Sequence, residues 1–252
     1  MSLSRYYTRL LRDSGRSLAK GIGLPFVRRD AVRSGRHALP YPLATYAPWQ
    51  ADPEFQAVWQ TVRENTLVDE LRCWELWTLV GELRDVPGAM LEVGVWRGGT
   101  GGLIAARAAA LGIEDPVYLC DTWEGVVKAG PADPHYRGGE HEDSSMEMVR
   151  ALLARLGVER AELLRGVFPE DTGSQVTAEA FRLVHIDVDV YESAADTFNW
   201  AWPRVSAGGV VVFDDYGWPA TPGVARFVDE QRGQPDRLML HNLNGHGLIV
   251  KR

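Results

Sequence analysis

Glu92-Val93-Gly94-Val95-Trp96-Arg97-Gly98-Gly99 sits between a short apolar run, Ala89 to Val93, and an alanine-rich run, Thr100 to Leu111. That order predicts a strand, a glycine loop and a helix. Glycine allows positive φ and close backbone approach. The first N–H groups of the helix have no partner within it, so they face whatever occupies the loop.

The same alternation continues downstream. Pro116 to Cys120, Ala161 to Arg165, Phe181 to Ile186 and Gly209 to Phe213 read as strands. Ser144 to Leu156, Ala194 to Trp202 and Gly223 to Gln231 read as helices. Arg237 to His241 and Leu248 to Lys251 join around Asn244-Gly245, a tight-turn dipeptide that makes them an antiparallel pair. Upstream, Leu67, Leu71, Trp74, Leu76, Trp77, Val80 and Leu83 recur at helical spacing until Val86-Pro87-Gly88 breaks the pattern. The fold expected is α/β and doubly wound, with a mostly parallel seven-stranded sheet, an antiparallel final strand and an N-terminal helical extension. Residues 1 to about 60, with Pro40, Pro42, Pro48 and Pro53, read as short helical pieces joined by loops.

A chain of 252 residues with 45% hydrophobic content can bury a core without metal or disulfide staples. The net charge of −7 argues against nucleic acid as a partner, since phosphate binding needs clustered positive charge. Arg12, Arg16, Lys20, Arg28, Arg29, Arg33 and Arg36 form a local exception, read either as a solvated arm or as one that touches a neighbouring subunit or an anionic substrate. Cys73 and Cys120 lie in apolar stretches and read as buried thiols. No apolar run has the length of a membrane span, and no signal-peptide pattern opens the chain, so a cytoplasmic protein without a membrane partner is expected.

In open parallel sheets, ligands bind beyond the carboxyl ends of the strands. The loops after Val93, Cys120, Ile186 and Phe213 are each flanked by an acidic residue. Gly94 and Gly98 are not spaced as in G-x-G-x-x-G, and Glu92 would repel a pyrophosphate. It suits an ammonium group, such as the methionine end of S-adenosylmethionine. Asp121 follows Gly94 by 27 residues and ends the next strand, where a carboxylate accepts from ribose hydroxyls. Thr122 and Trp123 come next; Trp123 reads as an adenine neighbour or as core. Phe168, in the loop Gly166 to Glu170, reads as adenine lining or a plain turn residue.

His185-Ile186-Asp187-Val188-Asp189 and Phe213-Asp214-Asp215-Tyr216 put carboxylates at two successive strand ends. Adjacent strands lie about 4.8 Å apart. Asp187, Asp214 and Asp215 would repel one another unless a hard cation such as Mg²⁺ joined them. Asp133, His135, Glu140, His141, Glu142 and Asp143 fall in a Gly/Pro-rich stretch without tight zinc spacing, which reads as a mobile lid over the substrate or as a solvated loop with no role.

Together these motifs resemble the TylF/MycF-type macrocin O-methyltransferase family, from about Thr66 to Arg252. The resemblance implies S-adenosylmethionine and Mg²⁺ as cofactors, a sugar hydroxyl of a macrolide or other glycosylated antibiotic as acceptor, and a homo-oligomer. It implies that Glu92 and Gly94 hold the methionine end and Asp121 the ribose, that Val95, Trp96, Gly98, Thr122, Trp123, Phe168 and Asp187 complete the cofactor site, and that Thr66 and Leu67 close over it. Asp187, Asp214 and Asp215 would hold the metal, and Asp189 would be the general base, with His141 as a rival. Residues 1–65 would form an extension shaping the lid, acceptor pocket and subunit contacts, and residues 66–252 the catalytic domain. Tyr41, Tyr46, Trp49 and Trp59 would wall the acceptor or pack an interface. A phenolic or catechol O-methyltransferase, a nicotinamide-dependent oxidoreductase and a non-catalytic scaffold are the competing expectations.

Overall fold

A computed structural model of the chain describes Arg36, His37 and residues 45–252. Residues 45–252 fall within one compact unit, Ala44–Arg252. The basic N-terminal arm and Tyr41 lie outside the described residues, apart from Arg36.

Helices α1 (Pro53–Val62) and α2 (Glu70–Glu82) precede the sheet. Then come β1 (Ala89–Val93), α3 (Gly99–Ala110), β2 (Val117–Asp121), α4 (Met146–Leu156), β3 (Ala161–Arg165), β4 (Phe181–Ile186), α5 (Tyr191–Ala201), β5 (Val205–Phe213), α6 (Pro222–Glu230), β6 (Arg237–His241) and β7 (Gly247–Lys251). The seven strands lie in the order β3-β2-β1-β4-β5-β7-β6. β1 to β5 run parallel, while β7 is antiparallel to both β5 and β6. The strand order reverses between β1 and β4, which opens the ligand crevice of such sheets at their carboxyl ends.

The pleat sorts side chains onto two faces. Leu183, Val210 and Val212 meet Phe55, Leu76, Trp77 and Leu103 on one face. Val184, Val211 and Phe213 meet Phe198, Phe227 and Val228 on the other. Both cysteines are free and buried, one in each layer.

Two boundaries differ from the sequence expectation, each for a capping reason. α2 begins at Glu70 rather than near Thr66, because the Asp69 side chain accepts from the N–H groups of Leu71 and Arg72. α5 begins at Tyr191 rather than Ala194, and the Tyr191 N–H donates to Asp133 Oδ1 at 3.0 Å from a loop 58 residues earlier. Helix α1, which precedes the expected domain start at Thr66, packs on the same core. Phe55 and Val62 of α1 are fully buried in the first core layer, and Trp49 and Trp59 pack against it. These two tryptophans pack on the domain's own core, away from the residues that line the cavity at the carboxyl ends of the strands. Tyr46 is 82% exposed.

Candidate active site

A cavity of about 370 Å³ opens at the carboxyl ends of β1, β2, β4 and β5. Its floor is the loop after β1. Gly94 has φ +88°, and a Cβ there would lie 1.7 Å from the carbonyl oxygen of Asp187. Glycine is required because two strand-end loops cross in contact. The Asp121 carboxylate pins the loop from the side: Oδ2 accepts from the N–H groups of Val95 (2.7 Å) and Trp96 (2.8 Å), and Oδ1 accepts from Trp123 N–H (2.7 Å). A carboxylate offers about four acceptor positions, so one remains for a ligand hydroxyl.

The opposite end of the cavity is acidic. Asp187, Asp214 and Asp215 each bring one oxygen within 4.8 Å of the others. Burial, and then the neighbouring Asp214, push the Asp187 carboxyl up. Burial, Asp189 and Asp187 do the same to Asp215. Asp214 behaves oppositely. Burial works against its charge, but His185, His246 and Arg72 outweigh it and hold the carboxyl well below its usual range. Three carboxylates with hard oxygen donors, two buried and that of Asp187 half-buried, match the requirements of Mg²⁺, Mn²⁺ or Ca²⁺. A second group of potential ligands, His185, Asp214 and His246, does not fit a metal in the same way. Both ring nitrogens of His246 are already engaged, Nδ1 with Glu75 Oε2 at 2.6 Å and Nε2 with Asp214 Oδ1 at 2.9 Å.

Asp189 adjoins this cluster in the left-handed region, with φ 65°. Non-glycine residues held there concentrate at functional sites. Its N–H donates to Asp215 Oδ2 at 2.8 Å, its Oδ1 accepts from the Tyr136 hydroxyl at 2.6 Å, and its Oδ2 lies 3.9 Å from His141 Nε2. Tyr136 and His141 belong to the segment 125–143, which contributes Val126 and Val127 to the cavity wall as well. Asp133 anchors that segment; it is 1% exposed and bonded to Tyr191. At its far end the Trp96 indole N–H donates to Asp143 Oδ1 at 2.8 Å, and Arg97 pairs with the same carboxylate.

The profile of the macrocin-O-methyltransferase (TylF) family matches residues 64–239. The chain belongs to that family. It is 35% identical over 142 residues to the 8-demethyl-8-(2,3-dimethoxy-alpha-L-rhamnosyl)-tetracenomycin-C 4'-O-methyltransferase of Streptomyces olivaceus, covering 52% of this chain and 54% of that protein. It is 29% identical over 170 residues to the mycinamicin III 3''-O-methyltransferase of Micromonospora griseorubida, covering 62% and 66%. The matched stretches thus span between about half and two thirds of these relatives' lengths. Among solved structures, the O-methyltransferase NovP superposes with a TM-score of 0.66 at 26% identity, over 75% of this chain and 82% of that one. The calicheamicin methyltransferase CalS11, at 17% identity and a TM-score of 0.61 over 83% and 99%, shares the fold.

The expected cofactor residues Thr66, Leu67, Gly94, Val95, Trp96, Asp121, Thr122, Phe168 and Asp187 line the cavity, as do Asp189, His141, Asp214 and Asp215. Three expected cofactor residues lie elsewhere. Glu92 is fully buried beneath the loop, with Oε1 bonded to His185 Nδ1 at 2.8 Å and Oε2 beside Gly101, where a Cβ would come within 2.3 Å. Gly98 faces Val149 of α4, which lies 2.9 Å from where its Cβ would be. Trp123 is 7% exposed in the first core layer, and its indole N–H donates to the Trp96 carbonyl at 3.0 Å. It takes the core role. His185 supports the strand ends from below. Burial opposes its charge, yet Asp214, Glu92 and Asp187 raise its pKa to about 10.

Sequence reasoning missed Tyr136, Arg72, Glu75 and His246. Arg72 left a trace, since it falls one turn before Leu76 on the buried stripe of α2, where a charge needs a partner. The others meet their partners only through tertiary structure.

Proposed function

We propose that the chain is an O-methyltransferase that moves a methyl group from S-adenosylmethionine to a sugar hydroxyl of a glycosylated natural product, with Mg²⁺ at the acceptor. The observation that carries this reading is one cavity with two chemically different ends. The Gly94 loop and Asp121 form one, and Asp187, Asp189, Asp214 and Asp215 form the other. The family and the glycoside-directed names of its relatives support the substrate class. In this reading the enzyme works in the cytoplasm as a homo-oligomer on a small glycoside; no helix among the described residues is long and apolar enough to cross a membrane.

When bound, S-adenosylmethionine supplies an electrophilic methyl group, and a divalent cation orients and acidifies a hydroxyl. The chain's residues do the rest. Asp121 takes a ribose hydroxyl at its remaining acceptor position, and Phe168, steadied edge-on by Trp200 at 4.9 Å, offers an apolar face to the adenine. Asp187, Asp214 and Asp215 would hold the cation, whose charge would offset the repulsion among the three carboxylates. Asp189 receives the acceptor's proton as general base. Tyr136 occupies Oδ1, so Oδ2, facing His141, is the oxygen that accepts it. The segment 125–143 excludes water from the acidic end.

Isothermal titration with S-adenosylmethionine and with NAD⁺, each with and without Mg²⁺, tests the reading alongside Asp121→Ala. Micromolar S-adenosylmethionine affinity that weakens at least tenfold in the variant is expected. Binding of NAD⁺ instead, or of neither ligand by a folded chain, would overturn it in favour of an oxidoreductase or a scaffold.

A further inference from the structure

Five polar side chains that the proposed chemistry does not use form one continuous network behind Asp214, buried at His246 and Arg72 and half-buried at Glu75, Asn242 and Asn244. His246 is fully buried in the β6–β7 connection. Its Nε2 binds Asp214 Oδ1 at 2.9 Å and its Nδ1 binds Glu75 Oε2 at 2.6 Å. Glu75, on α2, also accepts from the side-chain amides of Asn242 and of Asn244 (2.7 Å), which flank the same turn. Arg72, one turn earlier on α2 and 4% exposed, bonds the other oxygen of Asp214. Arg72 is in turn held by Asp69 at 2.8 Å and lies under the Trp218 ring at 4.8 Å. The turn is docked against the segment that carries Asp214 and Asp215: a Cβ on Gly217 would lie 2.6 Å from the Cα of Gly245.

Stability alone does not account for this arrangement. A buried ion network gives up hydration, and apolar residues of similar volume commonly stabilise a core as well or better. What it supplies is geometry. Each oxygen of Asp214 has a donor from a different element, and the His246 ring is fixed by a carboxylate on its far side. At metal centres, ligating carboxylates are held in place by such outer hydrogen bonds.

We propose that the β6–β7 turn is a working part of the metal centre, in which His246, oriented by Glu75, and Arg72 are positioning residues that hold Asp214 in the attitude needed to share a divalent cation with Asp187 and Asp215. The inference rests on the metal-dependent reading above. Asp214 is thereby tied to α2 and to the C-terminal hairpin, and divalent-cation affinity depends on side chains that touch neither cation nor substrate.

The test uses the full chain and Mn²⁺ alone, with free Mn²⁺ followed by electron paramagnetic resonance and Mg²⁺ as competitor. Glu75→Ala and His246→Ala are expected to weaken Mn²⁺ binding about tenfold or more. Glu75→Gln, which keeps an acceptor for His246 but not its charge, should fall between Glu75→Ala and the wild type. S-adenosylmethionine affinity should stay within about threefold of wild type. If His246→Ala does not fold, Asn244→Ala removes one support of Glu75 from the outside and should give a smaller loss of the same sign. Wild-type Mn²⁺ affinity in folded Glu75→Ala and Asn244→Ala chains, whatever their melting temperatures, would reduce the network to scaffolding and overturn the proposal. Failure of the wild type itself to bind Mn²⁺, or equal binding by Asp187→Asn, would instead remove the metal reading, and the inference with it.

Discussion

The Cα of Gly94 and the carbonyl of Asp187 are so close that a single methyl group on Gly94 would lie 1.7 Å from the oxygen. This contact joins the cofactor end of the cavity to the acidic end through backbone alone. It is buttressed by hydrogen bonds from Asp187 N–H to the Val93 carbonyl (2.9 Å) and from Gly94 N–H to the Cys120 carbonyl (3.0 Å). Gly94→Ala must therefore both force an alanine to φ +88° and separate the two loops. A left-handed non-glycine residue alone costs about 1–3 kcal/mol, and the overlap adds to it. Urea denaturation should show a loss of at least about 3 kcal/mol, or no folded protein. A variant as stable as wild type would mean the loops do not touch.

Asp133 gives a second prediction, because it caps α5 from a distance. Asp133→Ala strands the Tyr191 N–H, at a cost of about 1–2 kcal/mol by analogy with ordinary helix caps. It also loosens the middle of the segment 125–143, whose other ties to the rest of the domain include those at Val127, Lys128, Tyr136 and Asp143. Limited proteolysis should cut the variant within 125–143 under conditions that leave the wild type whole. Asp133→Asn keeps an acceptor oxygen and should restore most of the resistance. Equal cleavage of wild type and Asp133→Ala would show that the anchor does not hold the segment.

Much of this architecture was legible because it is written locally. The strands at Ala89–Val93, Ala161–Arg165, Phe181–Ile186 and Arg237–His241 fall where alternation and turn residues predict. The four acidic strand ends were legible too, since residues at the carboxyl edge of a parallel sheet converge whatever their distance in sequence. What escaped depends on pairings with no local signature. The Tyr191 cap comes from Asp133, and the His246 partner Glu75 is 171 residues away. Glu92 shows the same limit: its position at a strand end was clear, but which way the side chain turned was decided by His185 on the adjacent strand and by the space left at Gly101.

Cys120 lines the cavity, yet it should behave as an inert thiol. Burial pushes its pKa up to about 12, and the nearby Asp121 and Glu92 oppose the thiolate further. The thiolate is the reactive form, so at pH 8 only about one molecule in ten thousand carries it. Burial raises the Cys73 thiol well above its ordinary range as well. The native protein should not react with a disulfide reagent at pH 8, and both of its cysteines should react once guanidinium unfolds it. Reactivity in the native state should rise only as pH climbs toward the raised pKa. Rapid native labelling near pH 8 would contradict the packing around Cys120 and Cys73.

Tyr136 carries the prediction that bears most directly on chemistry. Its hydroxyl donates to Asp189 Oδ1 at 2.6 Å, and burial together with the Asp189 carboxylate raises its own pKa, so it stays a donor. Hydrogen bonds to charged groups contribute about 1.5–3 kcal/mol, and this one fixes which Asp189 oxygen faces the acceptor. Tyr136→Phe keeps the ring and removes only the donor. With any glycoside that the wild type methylates, single-turnover formation of S-adenosylhomocysteine should slow by about ten- to a hundredfold, the rate equivalent of that energy. Cofactor affinity should be unchanged, because Asp121 and the Gly94 loop are untouched. A variant that loses cofactor affinity with no change in the chemical step would assign Tyr136 to closing the cavity and remove it from the orientation of Asp189.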